Sequence, residues 1–146
     1  MKKPLKLNFE ILPSGAFNYN LRTTLSKKAW DFIRKDAYAR YNHKCAICNA
    51  KNTRLEAHEK WEFDAKNHTQ TLVDVIAVCH SCHAVIHISR TQLVGNEDLA
   101  IKHFKRVNNA DFTDYTKALK KANETNADLD KIDDWVLVLD FLKRYV

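Results

Sequence analysis

The stretch Val75-Ile76-Ala77-Val78-Cys79-His80-Ser81-Cys82-His83-Ala84-Val85-Ile86-His87 decides how this chain is read. A β-branched apolar run passes into a Cys-x-x-Cys turn, and the turn passes into a segment whose histidines lie four residues apart. Runs rich in Val and Ile favour a strand, and residues four apart share one face of a helix. The spacing therefore predicts a strand over 72–78, a knuckle at 79–82 and a helix over 83–89.

A second Cys-x-x-Cys pair, Cys45 and Cys48, lies upstream, with 30 residues between Cys48 and Cys79. Such a turn presents two sulfurs to one ion without strain, and two turns complete the tetrahedral shell of a structural Zn²⁺. A redox dithiol would sit near a helix start in a βαβ context, and no such context is present. His43, His80 and His83 flank the knuckles and are able to replace a thiolate, but the four cysteines already fill the shell. Between the knuckles, 54–58 reads as a first strand and 59–71 as a long polar loop. The order is knuckle, strand, loop, strand, knuckle, helix, a zinc-stapled ββα unit within an α+β chain. His58 ends the first strand. A hairpin packed on the helix would bring it to His83 and His87, and three imidazoles with open positions form a catalytic rather than a structural metal site.

Cys45-Ala-Ile-Cys48, Leu55-Glu-Ala-His58-Glu59 and the stretch quoted above together resemble the HNH endonuclease family, the ββα-metal nucleases, in its zinc-stapled, treble-clef-like branch. The resemblance covers about residues 43–89, is weaker from 26 and out to 108, and is absent beyond. It implies a metal-dependent endonuclease that hydrolyses DNA phosphodiester bonds. His58, His83 and His87 fall on the family's metal positions, with Mg²⁺ or Mn²⁺ as working ion. Zn²⁺ or Ni²⁺ would also suit three imidazoles. The catalytic set carried over is Glu59, Asp74 and His83. Glu59 stands where the family places its general-base histidine, and Asp74 where it places the middle Asn. Losing a general base typically costs about 100-fold to 10,000-fold in rate, so a slow enzyme and an inactive relative are both compatible with the motif. Glu59 reads equally as a partner for an imidazole N–H or as a solvated strand end. His68 is either a surface residue or a substitute base.

Outside this unit, Pro4, Pro13, Ser14 and Gly15 break up residues 1–25, which read as an arm. Ser26 is placed to cap a helix over 27–41 with Trp30, Ile33, Ala37 and Tyr41 inward. Its outer row, Lys27, Lys28, Arg34, Lys35 and Arg40, is either a phosphate-facing surface or a solvated face. Asn96 and Asp111 are placed to cap helices over 97–107 and 112–124. Residues 135–139 form an apolar run that is either a strand or a docked segment. Residues 26–108 thus make the zinc-stapled domain and 109–146 a helical extension packed on it.

Charge divides the chain in the same way. Residues 1–110 hold 18 Lys and Arg against 10 Asp and Glu, whereas 111–146 hold 6 against 8, within an overall net charge of +6. A basic body suits DNA, and the acidic extension suits a protein partner. The alternative to a nuclease is a catalytically degenerate module that binds DNA, or a protein of a phage or host-defence system, without cleavage. Two glycines in the chain exclude a Gly-rich nucleotide loop. No apolar run approaches the roughly 20 residues of a membrane span, and the first residues lack the apolar core of a signal peptide. The expected location is the cytoplasm of a bacterial or phage-infected cell, where paired cysteines are metal ligands rather than disulfides.

Overall fold

Leu5, Leu7, Phe9 and Ile11 alternate with Lys6, Asn8 and Glu10, the period-2 pattern of an extended segment with one buried side. In the computed structural model, which describes residues 4–16 and 20–145, Leu7 and Phe9 are core residues. Among the described residues the segment pairs with no strand. Its backbone is strapped across two helices: the Glu10 amide donates to the Ile86 carbonyl at 2.9 Å, and the Asn108 side chain holds both the N–H and the C=O of Leu7 at 3.0 and 2.8 Å. The part of the arm described here is therefore a packed element. Its residues 1–3 and 17–19 lie outside the described residues.

A one-turn helix, α1 (Leu21–Thr24), follows Asn20, whose side chain accepts from the Thr23 amide. Helix α2 (Lys27–Arg40) begins at Ser26, whose hydroxyl accepts from the Ala29 amide, and it buries Trp30, Ile33 and Ala37. These caps replace backbone partners missing in the first helical turn.

Strands β1 (Leu55–Asp64) and β2 (Thr69–Cys79) form an antiparallel hairpin. The long loop expected over 59–71 is mostly strand. Half-buried Trp61 and Phe63 alternate with exposed Glu62 and Asp64, so the polar residues are the solvent side of a ribbon, as antiparallel pairs allow. Only 65–68 turns. Asp64 Oδ1 accepts there from the amides of Lys66 and Asn67, and His68 adopts φ +53°.

The register slips between Lys60, opposite Asp74, and Trp61, opposite Leu72, leaving Val73 as a bulge. A bulge inverts the side-chain phase of its strand. Leu72 and Val75, which regular alternation would place on opposite faces, consequently both enter the cluster with Leu21, Trp30 and Ile33. Across the sheet a second cluster gathers Phe9, Val78, Cys82, Phe104 and Tyr115, with Phe9 stacked on Phe104 and edge-on to Tyr115, both at 5.4 Å.

Helix α3 (His80–Ile86) starts three residues earlier than expected because Cys79 caps it, its sulfur accepting from the Cys82 amide. The chain kinks at His87 (φ −95°, ψ 55°) before α4 (Ile88–Leu93). The kink frees the Ala84 carbonyl, and the Thr91 hydroxyl takes it at 2.6 Å. Helix α5 (Glu97–Asn108) follows Asn96, whose side chain makes no capping bond. Helix α6 (Phe112–Leu129) has a capping box between Asp111 and Asp114 and runs five residues past the expected end. Strand β3 (Val136–Val138) then lies parallel beside Thr69–Thr71, giving the sheet order β1-β2-β3. A terminal 3₁₀ segment, Asp140–Tyr145, returns to α2 through a bond of 2.7 Å from the Tyr145 hydroxyl to Asp36. Among the described residues no helix is long and apolar enough to cross a membrane.

Candidate metal centres

The knuckle at 45–48 and the junction of β2 with α3 bring Cys45, Cys48, Cys79 and Cys82 together, all four sulfurs within 4.8 Å of one another. Cys48 Sγ and Cys79 Sγ are 3.7 Å apart, close to the edge of about 3.8 Å of a tetrahedron with metal–sulfur bonds near 2.3 Å. The amides of Ile47 and Cys48 donate to Cys45 Sγ, as suits thiolates that need partial neutralisation. The sulfurs cannot all ionise on their own. The hydrogen bond from Cys82 holds Cys45 down to about 4, burial pushes Cys79 up to about 11, and the neighbouring Cys45 sulfur pushes Cys82 up. A metal dication would relieve that conflict. Buried His103 adds a contact that the sequence reading missed, its Nε2 lying 3.1 Å from Cys82 Sγ while Arg106 donates to its Nδ1 at 2.8 Å. With Nδ1 accepting, Nε2 carries the proton and donates to the sulfur.

The hairpin packs on α3 such that His58 meets His83 and His87. One donor nitrogen from each lies within 4.8 Å of the others, and the ring centroids are 5.4, 5.1 and 4.7 Å apart. Burial lowers the pKa of His83 and pushes His87 down to about 3. Neutral imidazoles at physiological pH are the ligating form. Each cluster could hold a metal ion.

Two carboxylates outside the ligand sets serve these rings. Glu56, two residues before His58 on the same strand face, accepts from Nδ1 of His83 at 2.7 Å and of His80 at 3.1 Å. Period-2 alternation was the available signal for it. Glu10 of the strap lies 3.0 Å from His58 Nε2.

The remaining expected site residues are dispersed. Glu59 faces Val75 across the ribbon and His58 faces Ile76, so the two side chains leave opposite faces. Glu59 Oε1 accepts from the Leu21 amide at 2.7 Å, and burial raises its pKa against the pull of that amide and of His58. The structure does not bring Asp74 to the histidines. Its carboxylate takes the Tyr41 hydroxyl at 2.6 Å, Arg40 at 3.2 Å and the Val75 amide at 2.8 Å, fastening the end of α2 to β2. His68 sits at the hairpin tip with Asp134 at 2.8 Å.

Among the described residues strand β1 is an edge of the sheet, and an open cleft of about 1310 Å³ runs along it between α2 and α3–α4. The three histidines and Glu59 line it. Of the expected cationic row, Lys27 and Arg34 line the cleft but are both paired with Asp31. Arg40 is spent on Asp36, Asp74 and the Val75 carbonyl, while Lys28 and Lys35 are exposed. Three exposed arginines from separate segments, Arg22 of α1, Arg54 just before β1 and Arg90 of α4, contribute to the cleft instead. Only the tertiary structure puts them in one cleft with the histidines.

Fold and site together define an α+β protein with a cysteine cluster that could hold one metal ion and a histidine cluster, in a cleft lined by both arginines and carboxylates, that could hold another. Comparison of the chain with protein-family models, with curated proteins and with solved structures finds no match.

Proposed function

We propose that this chain is a zinc-stapled, HNH-type metal-dependent endonuclease acting on DNA. The observation that carries the reading is the convergence of His58, His83 and His87 from a hairpin and a kinked helix within a cleft bearing arginines. In this reading the ββα-metal unit is β1, β2 and α3, and Zn²⁺ occupies the four sulfurs, whose softness and tetrahedral spacing suit it. His58, His83 and His87 would hold a divalent ion, which when bound would supply Lewis-acid stabilisation of charge on the phosphodiester oxygens. Mg²⁺ and Mn²⁺ are the working candidates, with Zn²⁺ and Ni²⁺ also suited to nitrogen donors.

The chain's own groups do the rest. Arg22, Arg54 and Arg90 attract and hold the DNA backbone along the cleft. Glu56 holds the His83 Nδ1 proton, which leaves Nε2 as the ligating atom. Glu59 is the proton acceptor from water through Oε2, which accepts no direct hydrogen bond from a described residue, and its raised pKa brings it nearer to a useful base strength.

One observation favours the alternative of a binding module without cleavage. Glu59 already caps the Leu21 amide and leaves the ribbon on the face opposite His58. Incubation with supercoiled plasmid and Mg²⁺, Mn²⁺ or Ni²⁺ separates the two. The nuclease reading expects nicking that is lost in His83→Ala and reduced about 100-fold or more in Glu59→Ala. No nicking by the wild type, or equal nicking by His83→Ala, refutes it. Salt-sensitive DNA retention in the absence of nicking would support the binding module.

A further inference from the structure

We infer that Glu10, on the amino-terminal strap, is a positioning residue for the histidine metal centre: it holds the Nε2 proton of His58 and so makes Nδ1 the atom His58 offers to the metal. The inference rests on the reading of the three histidines as a metal centre.

A neutral imidazole has one N–H and one lone pair, and a ligating histidine needs its lone pair aimed at the ion. The proton left on the other nitrogen wants an acceptor, and a carboxylate there fixes both tautomer and ring orientation. His83 has that acceptor in Glu56, on the neighbouring strand. His58 is 3 % exposed, and its Nε2 has Glu10 Oε1 at 3.0 Å. An ionised carboxylate only accepts, so the proton of this bond belongs to Nε2. Glu10 is not itself among the donor groups that converge on the cluster, which separates its role from that of a ligand.

The strap is built to hold that carboxylate in place. Phe9, the adjacent residue, is locked between Phe104 and Tyr115. The Glu10 amide is bonded to the carbonyl of Ile86, the residue before the kink at His87. The Glu10 backbone is thereby tied to the end of the helix that carries His83, directly before His87, while its side chain reaches the strand that carries His58. Phe9 packs in the same cluster as Cys45, Cys79 and Cys82, so the strap also joins the cysteine cluster to the histidine cluster.

The test uses the full chain with the cysteine site filled by Zn²⁺ and measures Co²⁺ uptake at the histidines by visible absorption. Long-range ¹H–¹⁵N correlation spectra of the histidines, recorded with Zn²⁺, give the tautomers. Expected are a wild-type His58 protonated on Nε2 and metallated on Nδ1, about 10-fold to 100-fold weaker Co²⁺ binding in Glu10→Ala, and substantial recovery in Glu10→Gln, whose amide oxygen still accepts. The exposed Glu62→Ala is expected to bind as the wild type does. In a separate sample loaded only with Co²⁺, the sulfur-to-cobalt band of the cysteine site is expected to be the same in Glu10→Ala, which excludes general unfolding. Metallation of His58 on Nε2, or unchanged Co²⁺ affinity in Glu10→Ala, overturns the role of Glu10 alone. No Co²⁺ uptake by the wild type overturns the histidine metal centre and Glu10's role with it.

Discussion

Truncating Phe9 to Ala asks whether the strap belongs to the folded core. The ring is 7 % exposed and makes two aromatic contacts, one stacked on Phe104 and one edge-on to Tyr115, with centroids 5.4 Å away in each case. Burying such a side chain contributes about 1.5–3 kcal/mol, and each aromatic pair adds about 0.5–1.5 kcal/mol. Together these predict a loss of about 2.5–6 kcal/mol, a span that brackets the roughly 3–5 kcal/mol typical of Phe→Ala in a packed core. Against a total stability of about 5–15 kcal/mol for a single domain, that is a large fraction. Urea unfolding monitored by circular dichroism at fixed Zn²⁺ reads it directly, and the thermal midpoint should fall by about 10–15 °C at roughly 3 °C per kcal/mol. Amide exchange at Glu10 should accelerate as its bond to Ile86 opens more often. A loss below about 1 kcal/mol with unchanged exchange would show that the strap is peripheral, and it would remove the rigid support on which the Glu10 argument depends.

Glu59→Gln keeps an acceptor for the Leu21 amide without the buried charge. Burial raises the Glu59 pKa above its ordinary 4.5, so the stability it contributes is fully present below about 4.5 and lost as pH rises through the folded-state value. Glu59→Gln should therefore gain on the wild type in denaturant titrations between pH 4 and pH 7, and a difference flat with pH would contradict this. Asp74→Ala should cost about 1–3 kcal/mol by stranding the Tyr41 hydroxyl and Arg40 while leaving Co²⁺ uptake at the histidines unchanged. Lost uptake at unchanged stability would instead tie Asp74 to the histidine cluster. His103→Leu removes the donor to Cys82 Sγ and should weaken Zn²⁺ retention in chelator competition by about 10-fold to 100-fold, with equal retention arguing against that bond.

The resemblance to a nuclease motif rests on residues that local sequence places well. Two Cys-x-x-Cys turns, a β-branched run and histidines at i and i+4 are short-range patterns, and the four sulfurs and three imidazoles they imply do converge. Short-range patterns misjudged the hairpin. A polar segment with one solvent face looks like a loop when only polarity is weighed, although Trp61 and Phe63 already alternate as in a strand.

By itself the sequence determined the two Cys-x-x-Cys turns, the four-residue spacing of His83 and His87, and the strand that carries His58, because each depends on spacing within a few residues. The tertiary structure alone decided which charged groups face the histidines. A one-residue bulge at Val73 sets which side of β2 meets α2, and strand alternation sends Glu59 away from His58. Glu10 arrives from 48 residues away on a strap whose alternating pattern announces a buried side but names no partner. Arg22, Arg54 and Arg90 come to line one cleft only when segments distant in sequence pack along the β1 edge. Ligand spacing is a local property of the chain, whereas the acceptors and cations around a metal centre are fixed by packing between distant segments.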